Sequence, residues 1–199
     1  MDKTQQGSVT FEVKNKLGVV TFAHPAHNSL PSNLLSELVT AIEALGRDER
    51  VHAILLKSGG DRTFCAGASF DELLALKEEQ TAKQFFMGFA NVINAIRKCP
   101  KFVIGRVQGK AVGGGVGLAA ATDYCFATKY ASIKLSELSI GFGPFVIEPT
   151  VTRKIGLAAT SQMTINAQEW QTAEWAKSKG LFAEVFKDAE QMDAYIEHF

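Results

Sequence analysis

The chain has 199 residues, of which 46% are hydrophobic and 21% are charged, so it is long enough to bury one substantial core and its composition excludes a disordered or fibrous protein. Its 21 Lys and Arg residues balance 21 Asp and Glu residues, which leaves no broad positive field to attract nucleic acid or an anionic membrane. We therefore expect one domain over residues 1–199, without a nucleic-acid or membrane partner.

The N-terminus and the cysteines bear on the cellular location of the protein and on the state of its thiols. Residues 1–6 lack the apolar core of a signal peptide, and no apolar run approaches membrane-spanning length. Cys65, Cys99 and Cys125 form an odd set without CxxC spacing, which argues against a disulfide framework and against a zinc site. These features predict a cytoplasmic protein with ordinary reduced thiols and no metal.

The predicted elements alternate between strands and helices. Residues 9–13 and 19–22 predict a hairpin, and residues 30–45 predict a helix with Ser29 available as its cap. Further strands are predicted at 51–57, 102–107, 124–128 and 132–135, and further helices at 70–79, 82–98, 115–122 and 188–199. Strands separated by helices indicate an α/β domain with several parallel strands.

The first glycine-rich turn lies at residues 65–68. It runs into Ser69-Phe70-Asp71-Glu72, which fits the S-x-x-E capping box and predicts a helix start with outward-pointing N–H groups. Such a start favours negative charge. An ordinary capped helix after a tight turn would have the same sequence.

The second glycine-rich turn, residues 113–117, follows a predicted strand and precedes a helix of small residues. Glycine inside a helix costs about 1 kcal/mol relative to alanine, so close approach of the backbone to a ligand or to another helix is needed to explain it. Neither turn is a GxxxxGK[ST] phosphate loop or a G-x-G-x-x-G turn. Nucleotide hydrolysis and dinucleotide redox chemistry therefore lose their main support.

Glu137 follows an alternating stretch in which Ile133 and Leu135 are apolar. If the alternation continues, Glu137 lies on the buried face, where desolvation would raise its pKa toward that of a useful acid or base. An exposed glutamate after a strand end is the alternative. A carboxylate near two sets of free backbone N–H groups can move a proton next to a carbonyl that becomes an oxyanion.

Taken in order, the segments 63–68, 107–123 and 135–144, with 25–30 and 173–182 around them, resemble the crotonase (enoyl-CoA hydratase/isomerase) superfamily. The resemblance implies a crotonase-like spiral of ββα units and an acyl-CoA thioester as substrate, with CoA part of that substrate and no separate cofactor. It also implies an oxyanion hole for the thioester oxygen. By motif position, the donors are the N–H groups of Ala68 and Gly114, and Glu137 is the catalytic carboxylate.

The same resemblance bears on the reaction. Hydratases of this family carry one glutamate in the glycine-rich helix and a second 20 residues later, and here these positions are Gly117 and Glu137. A single carboxylate can still carry a proton from the α to the γ carbon of a 3-enoyl thioester, so isomerase and hydratase both remain open. Phe145 replaces the further acid of the dienoyl isomerases, which disfavours that subclass. Glu148 is either a replacement carboxylate or a solvated turn residue.

Further substrate contacts are implied by the motifs. Ala66, Gly67, Gly113 and Gly117 would line the thioester site. Phe142 and Phe145 would form apolar walls for the acyl group, or they belong to an ordinary core. His24 and His27 would meet the CoA phosphates or adenine, unless they are surface histidines.

The chain ends at Phe199, whereas family members usually continue through helices that close the acyl pocket and build a trimer. We therefore expect those C-terminal helices to be missing, and a trimer or a dimer of trimers only where such a tail is present. Gly117 and the short end suggest one rival function, a catalytically silent acyl-CoA-binding or assembly subunit. An acyl-CoA decarboxylase is another, because a single carboxylate can assist an enolate formed by decarboxylation.

Overall fold

The computed structural model describes residues 7–199. Residues 1–6, in which the sequence predicts no signal peptide, lie outside this range. The described chain forms two β-sheets with helices packed around them. Among these helices, none has both the length and the apolar character that crossing a membrane requires.

Six strands form the larger sheet, in the spatial order β1 (Ser8–Lys14), β2 (Leu17–Ala23), β3 (Ala53–Ser58), β5 (Phe102–Val107), β7 (Tyr124–Thr128) and β10 (Glu184–Phe186). The first two strands pair antiparallel as the predicted hairpin, and every other neighbouring pair is parallel. Parallel strands need a crossover connection, which the intervening helices provide.

Four short strands form the smaller sheet, in the order β4 (Thr63–Cys65), β6 (Lys110–Val112), β8 (Ser132–Lys134) and β9 (Gln171–Thr172). The chain repeatedly adds one strand to the larger sheet, the next strand to the smaller sheet, and then a helical segment. The pairs β3/β4, β5/β6 and β7/β8 all follow this order. This is the spiral of ββα units that the resemblance implied, and the α/β class is confirmed.

The helices are α1 (Ser32–Arg47), α2 (Phe70–Ala75), α3 (Glu79–Lys98), α4 (Gly114–Ala121), α5 (Glu148–Ile155), α6 (Leu157–Ile165), α7 (Ala173–Ser178) and α8 (Ala189–His198), with a 3-10 helix at Glu137–Ile140. The predicted helix 70–79 is wrong at its C-terminal end. The chain leaves helical geometry at Leu76 and starts the next helix at Glu79, so α2 is only six residues long.

Two clusters of apolar side chains form the core. In the larger cluster, the predicted stripe of α1 packs under the larger sheet with at most 1% of each side chain exposed: Leu34, Leu38, Ile42 and Leu45. In the smaller cluster, Met192 and Ile196 of α8 pack on the opposite face of that sheet. These two apolar residues of the last helix therefore pack on the chain's own core.

A side chain from α2 caps α1. The predicted cap Ser29 is wrong, because α1 begins at Ser32 after Pro31 and no side chain of its own segment caps it. Instead, the Ser32 N–H donates to both carboxylate oxygens of Glu72, at 3.1 and 3.0 Å, and the Ser32 hydroxyl donates at 2.7 Å. This ties the start of α2, and the turn before it, to the start of α1.

Candidate active site

The first glycine-rich turn connects β4 to α2. Gly67 has φ +93°, a conformation that side-chain-bearing residues rarely adopt, and its carbonyl accepts a 2.8 Å hydrogen bond from the Leu30 N–H. Ser69 then caps α2 by accepting from the Glu72 N–H at 3.3 Å, as predicted. Between them, the Ala68 N–H donates to no acceptor within residues 7–199.

The second glycine-rich turn connects β6 to α4. Gly113 has φ +52° and donates its N–H to the Lys134 carbonyl at 2.8 Å, which joins the ends of β6 and β8. Gly114 is the first residue of α4, and within the described part of the chain its N–H likewise finds no acceptor. A β-carbon on Gly67 would lie 3.6 Å from the Gly114 nitrogen, so the two turns touch.

Glu137 stands next to these turns. The strand ends at Lys134, so strand alternation does not reach Glu137 as predicted. Glu137 instead begins a 3-10 helix, where the residue as a whole is half-buried. A β-carbon on Gly113 would lie 2.7 Å from the Glu137 Oε1, and Oε2 is buried without a hydrogen-bond partner in the described structure. Burial raises the pKa of the Glu137 carboxyl above its usual range.

One cavity of about 510 Å³ joins these features. Its polar wall is made by the two turns: Ala66, Gly67, Ala68, Gly113 and Gly114. The rest of its lining is largely aromatic and includes both phenylalanines predicted from the sequence, Phe142 and Phe145. Among the described residues that line the cavity, Glu137 is the only ionisable one. The arrangement therefore offers one acid or base next to two unpaired N–H donors.

Comparison with known proteins decides the family. Residues 12–199 match the family model described as "Enoyl-CoA hydratase/isomerase". The chain belongs to the enoyl-CoA hydratase/isomerase family. A crystal structure of an enoyl-CoA hydratase/isomerase (crotonase) from Legionella pneumophila superposes with a TM-score of 0.90 at 31% identity, over 96% of this chain and 74% of that one.

Two curated relatives of this family illustrate the extent of the match. The mitochondrial methylglutaconyl-CoA hydratase of Rattus norvegicus is 32% identical over 168 residues, which are 84% of this chain and 53% of the rat protein. The short-chain-enoyl-CoA hydratase of Clostridium acetobutylicum is 30% identical over 188 residues, which are 94% of this chain and 71% of that protein. The chain thus spans about half the length of the rat relative.

In this family member, the packing around position 117 leaves no room for a side chain. Gly117 is buried inside α4, and a β-carbon there would lie 2.5 Å from the Ile147 Cγ2 and 3.6 Å from the Ile93 Cδ1. Gly117 does not line the cavity, whereas Ile147 does. An aliphatic side chain therefore fills the place where the resemblance puts the first glutamate of a hydratase.

The other ionisable candidates, His24, His27 and Glu148, do not line this cavity. His24 and His27 line a separate cavity of about 580 Å³ beside residues 59–63, and desolvation lowers the pKa of His24. Their contact with CoA stays a prediction. Glu148 begins α5, where its carboxylate accepts from the Thr152 hydroxyl at 2.5 Å, and it is not among the cavity-lining residues.

The cysteines have no place in the site chemistry. Cys65 and Cys125 are buried, and desolvation raises the pKa of each thiol to about 12, so neither forms a reactive thiolate near neutral pH. Across residues 7–199, His, Cys, Asp and Glu nowhere gather in groups of three suited to a metal ion.

Several residues that line the cavity have no signal in the sequence that marks them as functional. Phe85, Phe86 and Phe89 of α3 line the cavity, and a β-carbon on Gly114 would lie 2.5 Å from the Phe89 ring. The spacing of Phe85 and Phe89 is that of any helix face turned toward a core. Only the packing of α3 against α4 shows that this face also borders a cavity.

Proposed function

We propose that the protein acts on an acyl-CoA thioester, with Glu137 transferring a proton at the α carbon while the Ala68 and Gly114 N–H groups hold the oxyanion. The observation that carries this proposal is the buried Glu137 Oε2. It has no hydrogen-bond partner in the described structure, and it belongs to the one ionisable group of a cavity that also contains two unpaired N–H donors. A buried acceptor without a partner costs stability, and a group bound in the cavity would supply the missing contact.

The reaction follows from the geometry. Glu137 removes a proton from the α carbon, and the electron pair moves through the carbonyl onto the thioester oxygen, forming an enolate. The two N–H groups stabilise the negative oxygen because they are fixed in place before it forms; such a donor is typically worth about 10²–10³ in kcat. The carboxyl, protonated by this transfer or after exchange with solvent, then delivers a proton back to carbon.

Isomerisation of a 3-enoyl thioester to the conjugated 2-enoyl thioester is the reaction best supported. It needs one carboxylate, which returns its proton to the γ carbon, and it needs no bound water. Ile147 fills the place of a second carboxylate at position 117, and Glu148 is engaged by Thr152 outside the cavity. Hydration is the second candidate, because the rat and clostridial relatives are named hydratases.

Turnover of two substrates separates the candidates. A 3-enoyl-CoA converted to its 2-enoyl isomer gains the absorbance of the conjugated thioester, whereas hydration of a 2-enoyl-CoA removes it. We expect isomerisation of the 3-enoyl-CoA to be faster than hydration of the 2-enoyl-CoA. Loss of absorbance from a 2-enoyl-CoA at the higher rate would reverse the assignment, and thioester binding without either change would favour the silent subunit.

Two further properties are proposed from the family alone. The first is assembly as a homo-oligomer, a trimer or a dimer of trimers, which light scattering on the purified protein would measure. The second is a cytoplasmic location, which imaging of the tagged protein in its own cell would test. CoA is proposed to enter only as part of the thioester substrate, so dialysis against CoA-free buffer should leave the rate with added substrate unchanged.

A further inference from the structure

Phenylalanine rings form much of the cavity lining outside the two turns. Six of them come from three separate parts of the chain: Phe70 of α2, Phe85, Phe86 and Phe89 of α3, and Phe142 and Phe145 of the segment after the 3-10 helix. Phenylalanine side chains are rigid, with only two rotatable bonds, so rings brought together in this way form a pocket of defined shape.

Three of these rings are arranged edge to face. The Phe86 ring lies 5.3 Å from Phe85 at an interplanar angle of 81°, and 5.6 Å from Phe142 at 74°. In such pairs the positive edge of one ring meets the negative face of the next, and a ligand ring can join the same pattern. Phe70 and Phe145 remain 55% and 80% exposed, so apolar ring surface is available for a ligand to cover.

The cavity lining contains one acidic side chain and no basic side chain among the described residues. Among the described residues that line the cavity, Glu137 is the only one with an ionisable side chain. Ser136 is the only other described lining residue with a polar side chain. A carboxylate on the acyl group would lose its hydration there without meeting a cation, and it would share the cavity with Glu137. An uncharged apolar group meets no such obstacle.

We propose that the cavity selects CoA thioesters whose acyl group is bulky, uncharged and aromatic, and that it rejects those whose acyl group carries a second carboxylate. This inference rests on the proposed function, because it takes an acyl-CoA thioester to be the ligand. It adds the substrate class, which the two turns and Glu137 alone do not specify.

The test is a calorimetric titration of the protein with three saturated thioesters and with CoA alone. 3-Phenylpropanoyl-CoA is expected to bind about tenfold more tightly than hexanoyl-CoA, as one well-formed ring pair predicts. Glutaryl-CoA is expected to bind at least about tenfold more weakly than hexanoyl-CoA, because its carboxylate is desolvated without a partner. Equal affinity for glutaryl-CoA and hexanoyl-CoA would overturn the inference.

Ring variants locate the selectivity. Phe86→Leu and Phe142→Leu should each remove most of the advantage of 3-phenylpropanoyl-CoA over hexanoyl-CoA. Phe102→Leu is the matched control, because Phe102 is 73% exposed on β5 and does not line this cavity. Circular dichroism verifies that each variant is folded. If the preference survives in both cavity variants, or disappears equally in the control, the rings do not select the substrate.

A charge variant tests rejection of the carboxylate. Phe145 lies at the cavity and is largely exposed, so Phe145→Lys is accommodated without cost to the core. It should strengthen glutaryl-CoA binding several-fold relative to hexanoyl-CoA binding. Equal strengthening of both thioesters would contradict the inference.

The outcomes also separate this inference from the proposed function. If none of the thioesters and not even CoA binds, the proposed function fails and the inference fails with it. If all three thioesters bind with equal affinity, the proposed function stands and only the selectivity is refuted. Glu137→Gln should preserve the affinity order, since selection by the rings does not need the proton-transfer group.

Discussion

Ile147 occupies the space that any side chain at position 117 would need. A β-carbon on Gly117 would lie 2.5 Å from the Ile147 Cγ2 and 2.8 Å from its Cβ, and both residues are buried. The absence of a carboxylate from position 117 is therefore matched by the packing around it, since a glutamate placed there would collide with the wall of the cavity.

Gly117→Ala should lower the free energy of unfolding by about 1–3 kcal/mol, the usual cost of overpacking a filled core. Ile147→Ala should cost about 2–5 kcal/mol through loss of buried contacts. In the double variant the new methyl group gains space, so the combined loss should be clearly smaller than the sum. Chemical denaturation of the four proteins measures this coupling. Strict additivity would show that the two side chains do not compete for space.

Glu137→Gln should lower kcat/KM by about 10²–10⁴, the usual contribution of a positioned acid or base. The matched control is Glu148→Gln, because the Glu148 carboxylate is bonded to Thr152 and lies outside the cavity. It should keep activity within about threefold of wild type. Steady-state kinetics on a 3-enoyl-CoA provides the comparison. Comparable losses in both variants would point to a two-carboxylate mechanism.

The pKa of Glu137 predicts how stability changes with pH. Burial raises this pKa above 4.5. Between pH 4.5 and the raised pKa, the folded protein therefore holds a proton that the unfolded chain has released. Stability linked to this group is therefore present below pH 4.5 and is lost as pH rises through the raised pKa. The stability of wild type minus that of Glu137→Gln should fall over this window and then level off. Denaturation across pH would contradict the assignment if the difference stayed constant or increased.

Gly113→Ala should impair activity far more than stability. Its φ of +52° disfavours alanine, and the new methyl group would lie 2.7 Å from the Glu137 Oε1 and displace the carboxylate. A displacement near 1 Å can cost about 10²-fold in rate. Gly156→Ala is the control, with φ +81° and no atom of residues 7–199 within 4 Å of the new carbon. Equal kinetic losses in the two variants would mean that Glu137 need not be held where it is.

The sequence predicted those parts of the fold and candidate site that local patterns determine. Residues 102–107 form the predicted strand, the apolar stripe of α1 is buried, and Ser69 caps α2. Short strands such as β4 and β6 were missed, because three residues are too few to show an alternation and their pairing depends on distant segments.

Tertiary packing determined the rest of the site. Nothing near Ser32 in the sequence indicates that Glu72, 40 residues away, caps α1. In the same way, the contact of Ile147 with Gly117 joins segments 30 residues apart, and the Phe86 and Phe142 rings meet across two separate elements. The sequence motifs indicated the two turns and Glu137, whereas the shape of the cavity depends on contacts that no local pattern records.

Hydrogen–deuterium exchange at the substrate α carbon tests the central claim most directly. When butanoyl-CoA is incubated with the protein in D₂O, we expect mass spectrometry to show deuterium entering the α position with wild type. Glu137→Gln, which should still bind the thioester, should slow this entry by about 10²-fold or more. Exchange at the wild-type rate in Glu137→Gln, or no exchange with wild type that binds the thioester, would contradict proton transfer by Glu137 through an enolate.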